Sequence, residues 1–78
     1  MKYRYIVVQS TYQGDNNTRI GFGIAVVTEY DGVTTVLNSV SDLSPDVQLV
    51  EGLVERCNSQ ELDPIHLKDI VTDFLAIV

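Results

Sequence analysis

Alternation comes first along this chain. Tyr3, Tyr5 and Val7 fall on one side of an extended backbone, and Arg4, Ile6 and Val8 on the other. A strand from Lys2 to about Tyr12 is therefore expected, with both faces partly apolar. Gln13-Gly14-Asp15-Asn16-Asn17 is a polar run of turn residues. Thr18 to Tyr30 alternates more sharply: Ile20, Phe22, Ile24 and Val26 share one face, and Gly21, Gly23, Ala25 and Val27 the other. Large residues opposite small ones predict a central strand with a close neighbour over the small side. Asp31-Gly32, where both positions tolerate positive φ, predicts a two-residue hairpin. Val33 to Val40 reads as the third strand, with Val36 and Val40 on one face and Val33, Thr35 and Leu37 on the other.

After Val40 the period changes from two to three and four. Ser44-Pro45-Asp46 reads as a helix start: a capping hydroxyl, proline at the first position and an acid in the first turn. Val47, Val50, Leu53, Val54 and Cys57 then share a face, with Leu49 at its edge and Gly52 opposite. Asn58 is expected as the C-cap. A second start follows, with Asp63 at the N-cap, Pro64 at the first position, and Leu62 and Leu67 spaced as a hydrophobic staple. Leu67, Ile70, Val71, Phe74, Leu75 and Val78 form the apolar stripe of this last helix, and Ile77 lies off it. That much apolar surface running to Val78 predicts a buried end, covered by the same chain or by a second copy.

Strands segregated from helices give an α+β fold. The expected architecture is a three-stranded antiparallel meander followed by two helices packed on one face, β-β-β-α-α, in a single domain over residues 1–78. So short a chain buries roughly 60–65% of its unfolded surface and is often supplemented. The usual supplements are missing: Cys57 stands alone, so no internal disulfide forms, and no Cys/His cluster suggests structural zinc. Oligomerisation remains, and a homodimer is expected. The far sheet face, or an open edge strand, would be the place for a partner.

Net charge changes the picture of partners. At −6 the chain repels a phosphate backbone, so nucleic acid is not expected. The acids gather after Asp42, while Lys2, Arg4 and Arg19 lie early. No apolar run approaches the ~20 residues of a membrane span, and no signal peptide is visible, so a cytoplasmic protein is expected.

Candidate chemistry is sparse. His66, Asp69 and Asp73, at spacings of three and seven, lie on one side of the last helix, where they could hold a divalent ion or act as an acid–base pair. A solvated helix edge, with His66 capping or packing locally, is the expected reading, and no paired-histidine spacing is present. No cofactor is expected: Gly21-Phe22-Gly23 lacks the third glycine and following helix of a phosphate loop. Cys57, on the apolar face, reads as a buried, inert thiol. Tyr3, Tyr5, Tyr12 and Tyr30 read as cross-strand packing.

Leu62-Asp63-Pro64, His66-Leu67, Asp69, Val71 and Asp73-Phe74-Leu75 make up a pattern L-x-P-x-H-L-x-D-x-V-x-D-F-L, with lesser support from Phe22-Gly23-Ile24 and Val40-Ser41-Asp42. On these residues the chain resembles a small, uncharacterised bacterial family known only as a domain of unknown function. The resemblance implies no activity and transfers no catalytic residue. The expected role is a non-enzymatic protein-interaction module that self-associates. The alternatives are an acidic adaptor or inhibitor of a basic partner protein, and a small metal-binding protein or enzyme using His66, Asp69 and Asp73.

Overall fold

The computed structural model describes residues 3–77, without the side chain of Ile77. Three antiparallel strands, β1 (Tyr3–Gln13), β2 (Thr18–Tyr30) and β3 (Val33–Ser44), form a meander in the order β1-β2-β3. Two helices follow, α1 (Val47–Ser59) and, after a 3-10 turn at Pro64–His66, α2 (Leu67–Ile77). The α+β order expected from the pattern is the one observed. Lys2, Val78 and the side chain of Ile77, on which the expected strand start and helix end partly rested, lie outside the described residues.

The alternation of β1 and β2 is carried straight into three dimensions. Tyr5 pairs with Val26 and Val7 with Ile24, so their side chains share one face. That face meets Leu43, Val50, Leu53, Cys57, Leu67, Val71 and Phe74 in one core. Ile24, Val26, Val50 and Leu67 are fully enclosed. On the opposite face Gly21, Gly23, Ala25 and Val27 are buried as well, which makes β2 central in both senses. The close neighbour over its small side is β3 itself. A Cβ on Gly23 would collide with the Val40 carbonyl and lie 2.8 Å from the Ser41 Cα.

β3 departs from the expectation in length and in parity. It continues to Ser44, beyond Val40. Phe22 pairs with Ser44 and Ile24 with Val40, so Ser41, Asp42 and Leu43 stand opposite Gly23 alone. Asp42 takes a positive φ of 58° to accommodate the bulge, and Leu43 turns into the core. A second irregularity inserts Leu37 between Asn38, paired with Val26, and Val36, paired with Val27. One extra residue reverses every side chain beyond it. Val36 and Val40 therefore lie on opposite faces, contrary to the simple alternation.

The hairpin at Asp31-Gly32 forms as expected, with φ of 53° and 78° and Tyr30 paired to Val33. The start of α1 is shifted. Its N-cap is Asp46, which accepts from the Gln48 N–H, while the Ser44 hydroxyl accepts from the Asp46 N–H one turn earlier. Pro45 thus precedes the cap rather than following it. Asp63 caps the second start as expected, accepting from the Ile65 N–H. The expected C-cap, Asn58, lies inside α1, and the cap is Gln60. The Leu62 N–H donates to the Cys57 carbonyl (3.0 Å) and the Glu61 N–H to the Asn58 carbonyl (3.1 Å), the paired bonds of a Schellman motif. Glu61 takes the left-handed position, at φ 49°, where glycine is usual.

Three substitutions separate these backbone effects in urea unfolding. Glu61→Gly is expected to stabilise by about 1 kcal/mol, because a side chain leaves a left-handed position. Gly52→Ala, in the open interior of α1, is expected to stabilise by up to ~1 kcal/mol. Gly23→Ala is expected to destabilise by about 3 kcal/mol, because the obstacle is β3 backbone.

Candidate functional site

Three places on the molecule could meet a ligand or partner: the polar edge of α2, the groove between the helices, and the free edges of the sheet. On α2, His66 Nδ1 lies 4.0 Å from Asp69 Oδ2, and the two side chains are 59% and 83% exposed. Asp73 is apart from them, on the wall of the interhelical groove. Among the described residues no group of three His, Cys, Asp or Glu side chains is close enough to hold a metal ion. Two of the three candidates are brought together, and they stand in solvent.

The groove runs between α1 and α2 and encloses about 560 Å³. Leu49, Gly52 and Leu53 line it from α1, and Ile70 and Phe74 from α2, with Leu62 from the connection. Gln48, Arg56, Gln60 and Asp73 supply its polar rim. Cys57 is at its inner wall and is buried. Burial pushes its thiol pKa up, and Arg56 only partly opposes that shift. The burial read from the sequence is observed, and the upward shift disfavours the thiolate.

The sheet's two edges are treated differently. At β1 the Tyr5 N–H donates to Asn58 Oδ1 (2.7 Å), and Asn58 Nδ2 donates back to the Tyr5 carbonyl (2.9 Å). The amide of Asn58 thus occupies the place of a neighbouring strand at that residue. The Tyr5 ring is 2% exposed, and its hydroxyl donates to the Leu62 carbonyl (2.8 Å). Burial, with Cys57, Tyr3 and Asp63 nearby, pushes the Tyr5 phenol up to about 12. One residue of β1 is thereby tied to the last turn of α1 and to the connection that starts α2.

No described strand lies beyond β3, the last in the order. Residues 33–39 of β3 are all exposed and carry no charge. Tyr5 turns its backbone groups away from β2, so ladder alternation assigns the inward groups of β3 to Thr35 and Asn38 and leaves those of Thr34 and Val36 facing outward. Ser39 is satisfied locally, its N–H donating to Asn38 Oδ1 (2.9 Å). Val36 is 59% exposed and ends the far-face band of Ile6, Ala25 and Val27. Arg4 and Glu29 close the other end of that band with a 2.7 Å ion pair. The Asn58 clasp gave no sequence signal beyond a polar residue late in a helix. The open edge was visible as the uncharged, β-branched run Val33-Thr34-Thr35-Val36.

A family model described as a family of unknown function (DUF6514) matches residues 1–77. No curated protein and no solved structure matches the chain. No helix among the described residues is long and apolar enough to cross a membrane.

Two measurements check the Tyr5 clasp. Asn58→Ala is expected to lower unfolding free energy by about 2 kcal/mol and Tyr5→Phe by about 1 kcal/mol, since each removes partly buried hydrogen bonds. The phenol also sets a pH dependence. Its folded value lies above the unfolded value of 10.0, so its contribution is complete below pH 10 and is lost as pH climbs towards about 12. Wild-type stability should fall more steeply than that of Tyr5→Phe across this window in urea melts.

Proposed function

This chain belongs to the DUF6514 family of unknown function, and we propose that it is a small non-enzymatic interaction module that self-associates through the open edge of its sheet. The observation that carries the reading is β3: a terminal strand, exposed and uncharged over residues 33–39, with outward backbone groups at Thr34 and Val36. An edge of this kind is a template for another strand, and soluble proteins ordinarily blunt it with lysine, proline or a covering element. Here the β1 edge is blunted by Asn58 at Tyr5, and the β3 edge keeps its apolar run.

A second copy suits that edge for electrostatic reasons. Two chains of charge −6 repel wherever carboxylates meet. Asp46, Glu51, Glu55, Glu61, Asp63, Asp69 and Asp73 all stand exposed on or beside the helices. The β3 run brings no charge, so antiparallel pairing about a two-fold axis joins the copies where they repel least. Such pairing would also lay apolar groups against Val36, 59% exposed in the single chain. His66 and Asp69 take no part in this reading.

The same acidic helical surface favours a second reading, an adaptor that presents carboxylates to a basic partner protein. Salt separates the two, because a partner held by exposed charges is released as ionic strength rises, whereas a backbone-paired dimer is not.

Multi-angle light scattering at micromolar to millimolar concentration is the direct check. The wild-type mass should rise towards twice the 8.7 kDa of one chain, at low and high salt alike. Val36→Lys should remain at the single-chain mass with its circular dichroism spectrum unchanged. A wild-type chain that stays monomeric throughout removes the reading.

A further inference from the structure

Gly52 has no reason to be glycine within its own chain. It lies in the interior of α1, where glycine costs roughly 1 kcal/mol relative to alanine. It is exposed, it is not among the residues of positive φ, and a Cβ built there meets nothing within 4 Å. Gly23, by contrast, is held small by the backbone of β3. The open space over Gly52 belongs to the groove between α1 and α2.

That groove has the size and lining of a small-molecule site. Its volume of about 560 Å³ falls within the range of ligand pockets, roughly 300–1,000 Å³. Its walls are aliphatic and aromatic, from Leu49, Leu53, Leu62, Ile70 and Phe74. Leu49 is 43% exposed although it points into an apolar trough. Arg56 stands at the rim one helical turn from Gly52, and among the described residues it forms no ion pair in a chain rich in carboxylates. Gln60 adds an amide one turn further along α1, Gln48 lies about 12 Å away towards the start of α1, and Asp73 lines the groove from α2. The cation calls for an anionic head. Asp73 limits that head to one negative charge, because a second would meet a carboxylate across the groove.

We propose that the α1–α2 groove binds a medium-chain, singly charged amphipathic carboxylate, its hydrocarbon tail over Gly52 between Leu49 and Phe74 and its head at Arg56. The site is separate from the β3 edge, so it neither requires nor excludes self-association. In this arrangement the glycine keeps the trough open, and Arg56 with the Gln60 amide replaces the hydration of the head.

The test is a titration of the full chain with sodium decanoate, below the concentration at which decanoate forms micelles, followed by amide chemical shifts. Saturable shifts confined to Leu49, Gly52, Arg56, Ile70, Asp73 and their neighbours are expected. Arg56→Gln should bind decanoate roughly ten-fold more weakly while leaving decanol unchanged. Gly52→Leu, which fills the trough, should abolish binding of both. If Gly52→Leu fails to fold by circular dichroism, the exposed Arg56→Gln variant still decides. Absence of saturable shifts, or equal affinity of Arg56→Gln and wild type for decanoate, overturns the assignment. Shifts at the same amides that follow protein concentration rather than decanoate would place a second copy in the groove and overturn it equally.

Discussion

The structure depends on how Tyr5 is held. Its ring fills the core between sheet and helices, its hydroxyl binds the Leu62 carbonyl, and its backbone N–H and C=O are both taken by the Asn58 amide. A three-stranded sheet and two short helices share little intrinsic stability, since helices of this length draw most of theirs from packing. Three hydrogen bonds at one residue join β1 to the end of α1 and to the start of the segment leading into α2. The same helix, α1, brings Val50, Leu53 and Cys57 into one core with Ile24 and Val26.

The clasp has a consequence for the sheet as a whole. A meander has two free edges, and Asn58 stands against one of them. At the other edge the chain spends its irregularities on shape. The bulge at Ser41-Asp42-Leu43 brings β3 backbone over Gly23 and turns Leu43 into the core. The extra residue at Leu37 sends Val36 to the far face. What remains between the hairpin and that irregularity is a short, regular, uncharged edge. The two edges thus differ at Tyr5, which Asn58 holds, and over residues 33–39, which stand open, and the proposed self-association rests on that difference.

Much of this was legible in the sequence, because period-two alternation in β1 and β2, Asp31-Gly32, and the apolar spacing of the helices all state local rules that the fold obeys. What was hidden depends on relations between distant residues. Val36 and Val40 have the spacing of one face, and only pairing against β2 reveals the inserted Leu37. Asn58 looks like a helix end from its neighbours, but its amide is claimed by a strand more than fifty residues earlier. Ser44 and Asp46 can each cap a helix, and their order was settled by the strand that precedes them. At the candidate site the sequence placed His66 next to Asp69 correctly, and it could not show that Asp73 belongs to a groove formed with α1. Leu75, counted into the apolar stripe, is 54% exposed, so the stripe is wider than the core it serves.

The central claim is that the β1 edge is tied within the chain at Tyr5 and that the β3 edge over residues 33–39 is closed by a second copy. Amide hydrogen exchange measured against protein concentration tests it most directly, since it reads both edges in one experiment. The Tyr5 amide should be protected equally at all concentrations, and the outward amides of Thr34 and Val36 should become protected only as concentration rises. Thr34 and Val36 amides that exchange at the same rate at micromolar and millimolar protein would contradict the account.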